Sequence, residues 1–232
     1  MCWNLPVSLS FSVLYASFIV YYYNKKPNFW KGYIMFCSFY LVMEVFQSLQ
    51  WMFGDLVHEY HIYGPSICST KNKNFTYTAF ILIWLQPLLF SLIGYVELGK
   101  KIFYKLIVFN MLIFLFALYT IIIGSNYTKQ KYFIPDSNFG IKTCTDVGLS
   151  HHLSWRFSVH DIDLAPNNLT YLILCSFPFL FYKRELKNVW RGWLLSFIVT
   201  KLILNPYSTE IPSAWCLLSV VANFVIILGT LI

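Results

Sequence analysis

Glu44 stands inside an apolar run from Gly32 to Phe53. With Tyr40, Gln47 and Trp51 it follows an i, i+4, i+7, i+11 spacing that places the four side chains on one stripe of a helix. A carboxylate one turn from a carboxamide can bind a proton or cation, and the amide offers a solute both a donor and an acceptor. Gln50 lies in the same run. Such groups are costly in lipid, so other helices must satisfy them. With a rise of about 1.5 Å per residue, Glu44 sits about 18 Å from the start of its run and Lys201 about 16 Å from the start of another; Gln86 and Asn223 sit about 14 and 15 Å from the opposite surface. These four residues on four helices share one level near a bilayer midplane. The chemistry is that of an ion or small-solute site lined by Glu44, Gln47, Gln86, Lys201 and Asn223, with Glu44 and Lys201 as a switchable ion pair. The competing reading is a clamp that fixes helix packing, with Lys201 snorkelling outward. Pro87, directly after Gln86, removes a backbone hydrogen bond and could open its helix to ligands.

The histidines suggest different chemistry. His58-Glu59-Tyr60-His61, His151-His152 and His160-Asp161-Ile162-Asp163 fall in two long polar segments. If those segments meet, His58, His61, His151, His152, His160 and Asp161 form a candidate zinc site that could activate water. The spacing matches no established zinc signature, and solvated or capping histidines are the alternative. Ser150, Ser154 and Ser158 are nucleophile candidates by proximity alone.

The elements that must position these residues are membrane-grade. The 232 residues are 58 % hydrophobic, 20 % aromatic and only 12 % charged. A soluble domain carries about 25 % charged residues, so half that charge points to lipid. The net charge of +7 forms no nucleic-acid face, because the basic residues sit in short loops between apolar runs. Seven runs can be read, at 3–23, 32–53, 77–98, 102–124, 169–182, 190–204 and 213–232, most of them near the roughly 20 residues a crossing needs. The expected fold is an all-α integral membrane protein, a seven-helix bundle in one domain of residues 1–232. The first run has no basic leader and ends in Tyr21-Tyr22-Tyr23, so it reads as a retained helix and not a cleaved signal. No internal repeat supports an inverted-repeat transporter.

Orientation follows from the basic residues. Lys25, Lys26, Lys31, Lys100, Lys101, Lys105, Lys183, Arg184, Lys187 and Arg191 all fall in alternate short loops. The long segments 54–76 and 125–168 carry basic and acidic residues in balance. The short loops therefore read as cytosolic, the N-terminus as extracytosolic and the C-terminus as cytosolic. Cys68 and Cys144, one in each long segment, are placed to form a disulfide in an oxidising compartment such as the secretory pathway, the cell surface or a viral envelope. The sequons at Asn74 and Asn126 read as glycosylation acceptors on that side, and a third at Asn168 lies at its edge. Segment 125–168 is too long for a connector and carries Trp155, Phe157 and Ile162 among polar residues, so it reads as a lid on the bundle.

Met1-Cys2-Trp3, Met43-Glu44-x-x-Gln47 and His152-Leu153-Ser154-Trp155 together resemble a group of uncharacterised multipass membrane proteins that begin Met-Cys-Trp, found in microbes and large DNA viruses. The resemblance spans most of the chain and implies a multipass membrane fold but no activity. Rhodopsins and G-protein-coupled receptors share the topology, but Lys201 is in the sixth run and Asn205-Pro206-Tyr207 lies at its outer end. Seven-helix ceramidase-like hydrolases place His ligands in helices, whereas every histidine here is in a loop. Three function classes follow: a transporter-like or channel-like protein with a midplane site, a lipid hydrolase with a histidine-bound metal at the outer face, and a structural or interaction protein whose polar layer only holds the bundle. The bilayer and an unidentified ion or solute are the expected partners; zinc belongs to the hydrolase reading alone.

Overall fold

The computed structural model describes residues 4–58, 67–124, 139–140, 142–148, 151–160 and 165–203. The chain order is α1 (Leu5–Lys25), α2 (Trp30–Phe53), α3 (Thr70–Leu98), α4 (Lys101–Gly124), β1 (Cys144–Val147), β2 (Leu153–Arg156), α5 (Asn168–Ser176), a 3-10 turn (Phe177–Phe181) and α6 (Arg184–Ile203).

Local chemistry sets the helix limits. Asn4 caps α1 by accepting from the Val7 N–H at 3.0 Å, and Pro6 occupies the first turn, where its missing donor costs nothing. Ser69 caps α3 through the Asn72 N–H, and Gly99, in the left-handed conformation at φ 62, ends it by donating to the Tyr95 carbonyl. Asn167 caps α5 through the Thr170 N–H. Phe29 gives α2 no side-chain cap; instead the Glu97 carboxylate reaches across from α3 to accept from the Gly32 N–H.

The four helices α1 to α4 are long and apolar enough to cross a membrane. Their apolar surfaces also turn outward: Val108, Phe109, Leu112, Leu115, Tyr119 and Ile122 of α4 are all exposed. A face of that extent marks a surface for lipid or for another protein. The later elements are weaker candidates. Asn168–Phe181 spans only about 24 Å as one short α-helix and a 3-10 turn, less than the ~30 Å hydrocarbon core. α6 opens with a charged turn at Arg184, Glu185 and Lys187. The seventh run, 213–232, lies outside the described residues. Among the described residues the structure is thus mostly helical, with four candidate spans.

Several limits differ from the sequence reading: α6 starts at Arg184 and not at 190, and the run 169–182 is an α-helix followed by a 3-10 turn. α3 starts at Thr70 and not at 77, because Ser69 supplies a cap that lets polar residues extend an apolar helix. The segment after α4 is not wholly loop: β1 and β2 pair antiparallel, with Cys144 opposite Arg156 and Thr145 opposite Trp155.

The molecule has two chemically different ends. At one, the last turn of α2, the first turns of α3 and the end of α4 meet the β-hairpin. At the other, the α1–α2 turn, the α3–α4 turn and the 3-10 turn meet; Lys100 Nζ donates to the Phe181 carbonyl at 3.3 Å, and Lys183 lies 5.9 Å from the centre of the Phe29 ring. An aromatic spine ties the helices together. Tyr15 stacks on Tyr40, Phe36 lies between Tyr40 and Phe90, and Phe90 meets Phe179 and the edge of Trp193. Gly94 lets α4 approach α3, since a Cβ there would lie 2.3 Å from the Phe103 ring.

Candidate functional site

Glu44 and Gln47 lie one turn apart on α2, and both are 0 % exposed. Ser8 of α1, also buried, lies beside Glu44. Neither Glu44 oxygen and neither polar atom of the Gln47 amide makes a hydrogen bond to a described residue. The stripe continues as the spacing requires: Tyr40 is buried below Glu44, and Trp51 is half-buried above Gln47. Buried polar groups normally find partners, and these two side chains on one helical turn depart from that rule.

The other members of the polar level are used differently. Gln86 is buried on α3, and its amide oxygen accepts from the Tyr171 hydroxyl of α5. Lys201 lies in the last turn of α6 with its side chain exposed, and among the described residues no ion pair links it to Glu44. Asn223 lies outside the described residues. Pro87 does not open its helix: α3 runs through it, and Asn110 of α4 donates to the Pro87 carbonyl at 3.0 Å and to Ser91 Oγ at 2.8 Å. Sequence reasoning missed Asn110, although a lone amide in the middle of the apolar run 102–124 was a visible signal.

Above the stripe, the hairpin is seated by a compact hydrogen-bond hub. Gln50 Nε2 donates to Thr145 Oγ1 at 2.8 Å, and Trp155 Nε1 donates to Gln50 Oε1 at 3.1 Å. Thr145 Oγ1 also meets Thr76 Oγ1 at 2.7 Å. Asn72 holds the Thr145 backbone twice, donating to its carbonyl and accepting from its N–H, both at 2.8 Å. The Cys68–Cys144 disulfide closes beside this hub. The Val147 N–H donates to the Val57 carbonyl at 2.8 Å, and Ser158 Oγ donates to the Gly124 carbonyl at 2.9 Å. Gly124 is required there, because a Cβ would lie 2.4 Å from the Val159 backbone.

Within the hairpin, Arg156 and Asp146 form a fully buried ion pair at 3.3 Å. Burial pushes the Asp146 carboxyl above the usual range, and Arg156 opposes that shift. His152 is buried and pushed down to about 4, chiefly by burial and further by His151. Burial thus favours the neutral imidazole.

The two adjacent histidines diverge, since His151 is exposed at φ 61 while His152 is buried. His58 and His160 are exposed, and His61 and Asp161 lie outside the described residues. Among the described residues no three His, Cys, Asp or Glu side chains form a metal-holding group. Ser154 and Ser158 are buried within the hairpin, away from solvent. Asn74 is exposed, but it sits in the first turns of α3 and not in a loop, and Thr76 of the same sequon is buried in the hub. Asn126 lies outside the described residues.

The sequence matches a family of unknown function (DUF5765) over residues 6–232. It is also similar to the uncharacterized protein R287 of Acanthamoeba polyphaga mimivirus, with 50 % identity over 230 residues covering 98 % of this chain and 94 % of the viral protein. No solved structure matches.

Proposed function

The chain belongs to this family of unknown function, and from that premise we propose that it is an integral membrane protein, transporter-like or channel-like, with a site for a proton, cation or small polar solute at Glu44 and Gln47. In this reading, residues 1–232 form one membrane domain of seven crossings, with the disulfide-bearing end extracytosolic and the basic end cytosolic. The four long apolar helices and the segregation of basic turns to one end support it.

One observation carries the site: both polar side chains of a single helical turn are fully buried and have no hydrogen-bond partner among the described residues. Desolvating a carboxylate without compensation is strongly unfavourable. A bound proton or cation relieves that cost, and the Gln47 amide can then complete the shell of a cation or hold a polar solute. Gln86, held by Tyr171, serves as a wall of this site and Lys201 is given no part in it.

The test is flux in reconstituted vesicles, read by an internal pH dye under a potassium gradient and by uptake of labelled monovalent cations. Uptake that disappears in Glu44→Gln and weakens in Gln47→Leu, while both variants remain folded, is the expected result. Flux unchanged in Glu44→Gln removes this function. A second reading, a purely structural membrane protein, is favoured by the Asn110, Gln86 and Gln50 clamps, which use buried amides as glue. It requires Glu44→Gln to change thermal stability and nothing else.

A further inference from the structure

We propose that the Glu44–Gln47 site is loaded from the disulfide-bearing end, through a gate at Trp51, with the Tyr15–Tyr40 stack as its floor. This rests on the transport reading above and makes the protein a carrier with alternating access, not a continuous pore.

The register of α1 against α2 sets the route. The two helices run antiparallel, with Tyr22 stacked on Tyr33 at 4.9 Å, Tyr15 on Tyr40 at 5.9 Å and Ser8 beside Glu44. Ser8 belongs to the first turn of α1, whereas α2 continues beyond Glu44 to Phe53, about 13 Å further. In that register Gln47 is level with the first residues of α1, and Trp51 lies beyond them.

Trp51 is half-buried, and its indole Nε1 is buried without a hydrogen-bond partner among the described residues. The preceding residue, Gln50, turns to the hairpin instead and pairs with Thr145 and Trp155. Glu44, Gln47 and Trp51 therefore follow one another as unpaired polar groups, from a fully buried carboxylate to a partly exposed ring. An indole joins a large apolar body to a single donor, so it covers the site and can still hydrogen-bond a solute that passes it.

Toward the basic end the seam is closed by rings. Ser12, between Ser8 and Tyr15 on α1, gives its hydroxyl to the Ser8 carbonyl at 2.9 Å. Tyr40 packs against Tyr15, against Phe36 at 4.5 Å and against Phe39 at 5.7 Å, and Tyr15 and Tyr40 are both buried. The Tyr22–Tyr33 stack forms a second layer further down. Close-packed rings pass no hydrated ion unless they separate.

The test is thiol accessibility in sealed vesicles of one orientation. The full chain carries Gln47→Cys, with Cys2 and Cys216 replaced by serine. The probe is a membrane-impermeant cationic methanethiosulfonate, read by the mass added to the protein. Position 47 should react only from the side that reaches a Ser69→Cys reference. Trp51→Ala should speed that reaction about tenfold, because labelling of a closed site follows the population of its open form. Tyr40→Ala should admit the reagent from the side that reaches a Lys101→Cys reference. Where Gln47→Cys does not fold, Glu44→Cys reports the same pattern. Reaction from the basic side with Tyr40 intact, or a rate indifferent to Trp51→Ala, overturns the gate; exclusion from the basic side in Tyr40→Ala overturns the floor. Any of these with flux still lost in Glu44→Gln leaves the transport reading with another route, whereas unchanged flux in Glu44→Gln removes that reading itself.

Discussion

Thr145 is the side chain on which seating of the hairpin depends, because its hydroxyl meets both Gln50 and Thr76 in a buried place. Thr145→Val keeps the shape and leaves the buried Gln50 Nε2 donor unpaired, at about 1–3 kcal/mol, while Thr76 keeps its bond to the Asn72 carbonyl. Thermal unfolding in detergent should show a clear loss for valine and a much smaller one for serine; equal losses would mean that packing, and not the hydroxyl, matters. His152 adds a pH dependence with a definite sign. Its folded value of about 4 lies below the ordinary 6.5, so its contribution is complete above about pH 6.5 and is lost as pH falls toward 4, where the unfolded chain takes up the proton first. Asp146, pushed up by burial, acts in the opposite sense, so comparison with a variant isolates the histidine. Melting curves from pH 7 to 4 should fall more steeply for the native chain than for His152→Gln. Parallel curves would rule the histidine out.

The hairpin is an element too small to hold itself. Two strands of four residues each are marginal alone, so the Cys68–Cys144 bond, the hub and the contact with Gly124 must together fix it to the bundle. Replacing both cysteines with serine should lower stability by about 2–4 kcal/mol, since the bond closes a long loop. Reduction should also change mobility on a non-reducing gel; absence of that shift would show that the thiols are free. The α3–α4 pair is equally sensitive. Gly94→Ala puts a methyl inside the space of Phe103, which is itself fully buried. The helices must then separate, with a stability loss of about 1–3 kcal/mol. A Phe103→Leu change in the same chain should recover part of it, and no recovery would place the strain elsewhere.

Across the whole molecule, the separation of a disulfide-bearing end from a basic end sets up a topology test. With Cys2 and Cys216 replaced by serine and Cys37 and Cys175 buried, single cysteines at Lys101 and at Ser69 can be labelled selectively. In sealed vesicles a membrane-impermeant reagent should reach one position from outside and the other only after permeabilisation. Labelling of both from one side would overturn the crossing of α3. The exposed apolar face of α4 predicts in addition that the protein resists extraction without detergent.

Composition and run length alone established the helical, lipid-suited character of the first four elements, because an apolar run of that length in an α-helix satisfies its own backbone wherever it lies. The stripe Tyr40, Glu44, Gln47 and Trp51 was equally legible, since period 3.6 is a local property. Two isolated cysteines in polar segments were enough to suggest the pairing that forms. What required tertiary structure was every relation between distant residues. The sequence reads Gln86 and Glu44 as one level, yet Gln86 turns to Tyr171 while the Glu44 and Gln47 polar atoms make no hydrogen bond among the described residues, and a position along a helix carries no information on rotation about its axis. Asn110 closes Pro87, and Thr145 joins Gln50, Asn72 and Thr76, through contacts between segments far apart in sequence. Neighbouring histidines also diverge, one buried and one exposed, because the turn before β2 has a backbone geometry that residue types alone do not set. The chain's own chemistry determines which segments are helical, while the packing of those segments decides which polar groups pair with one another and which do not.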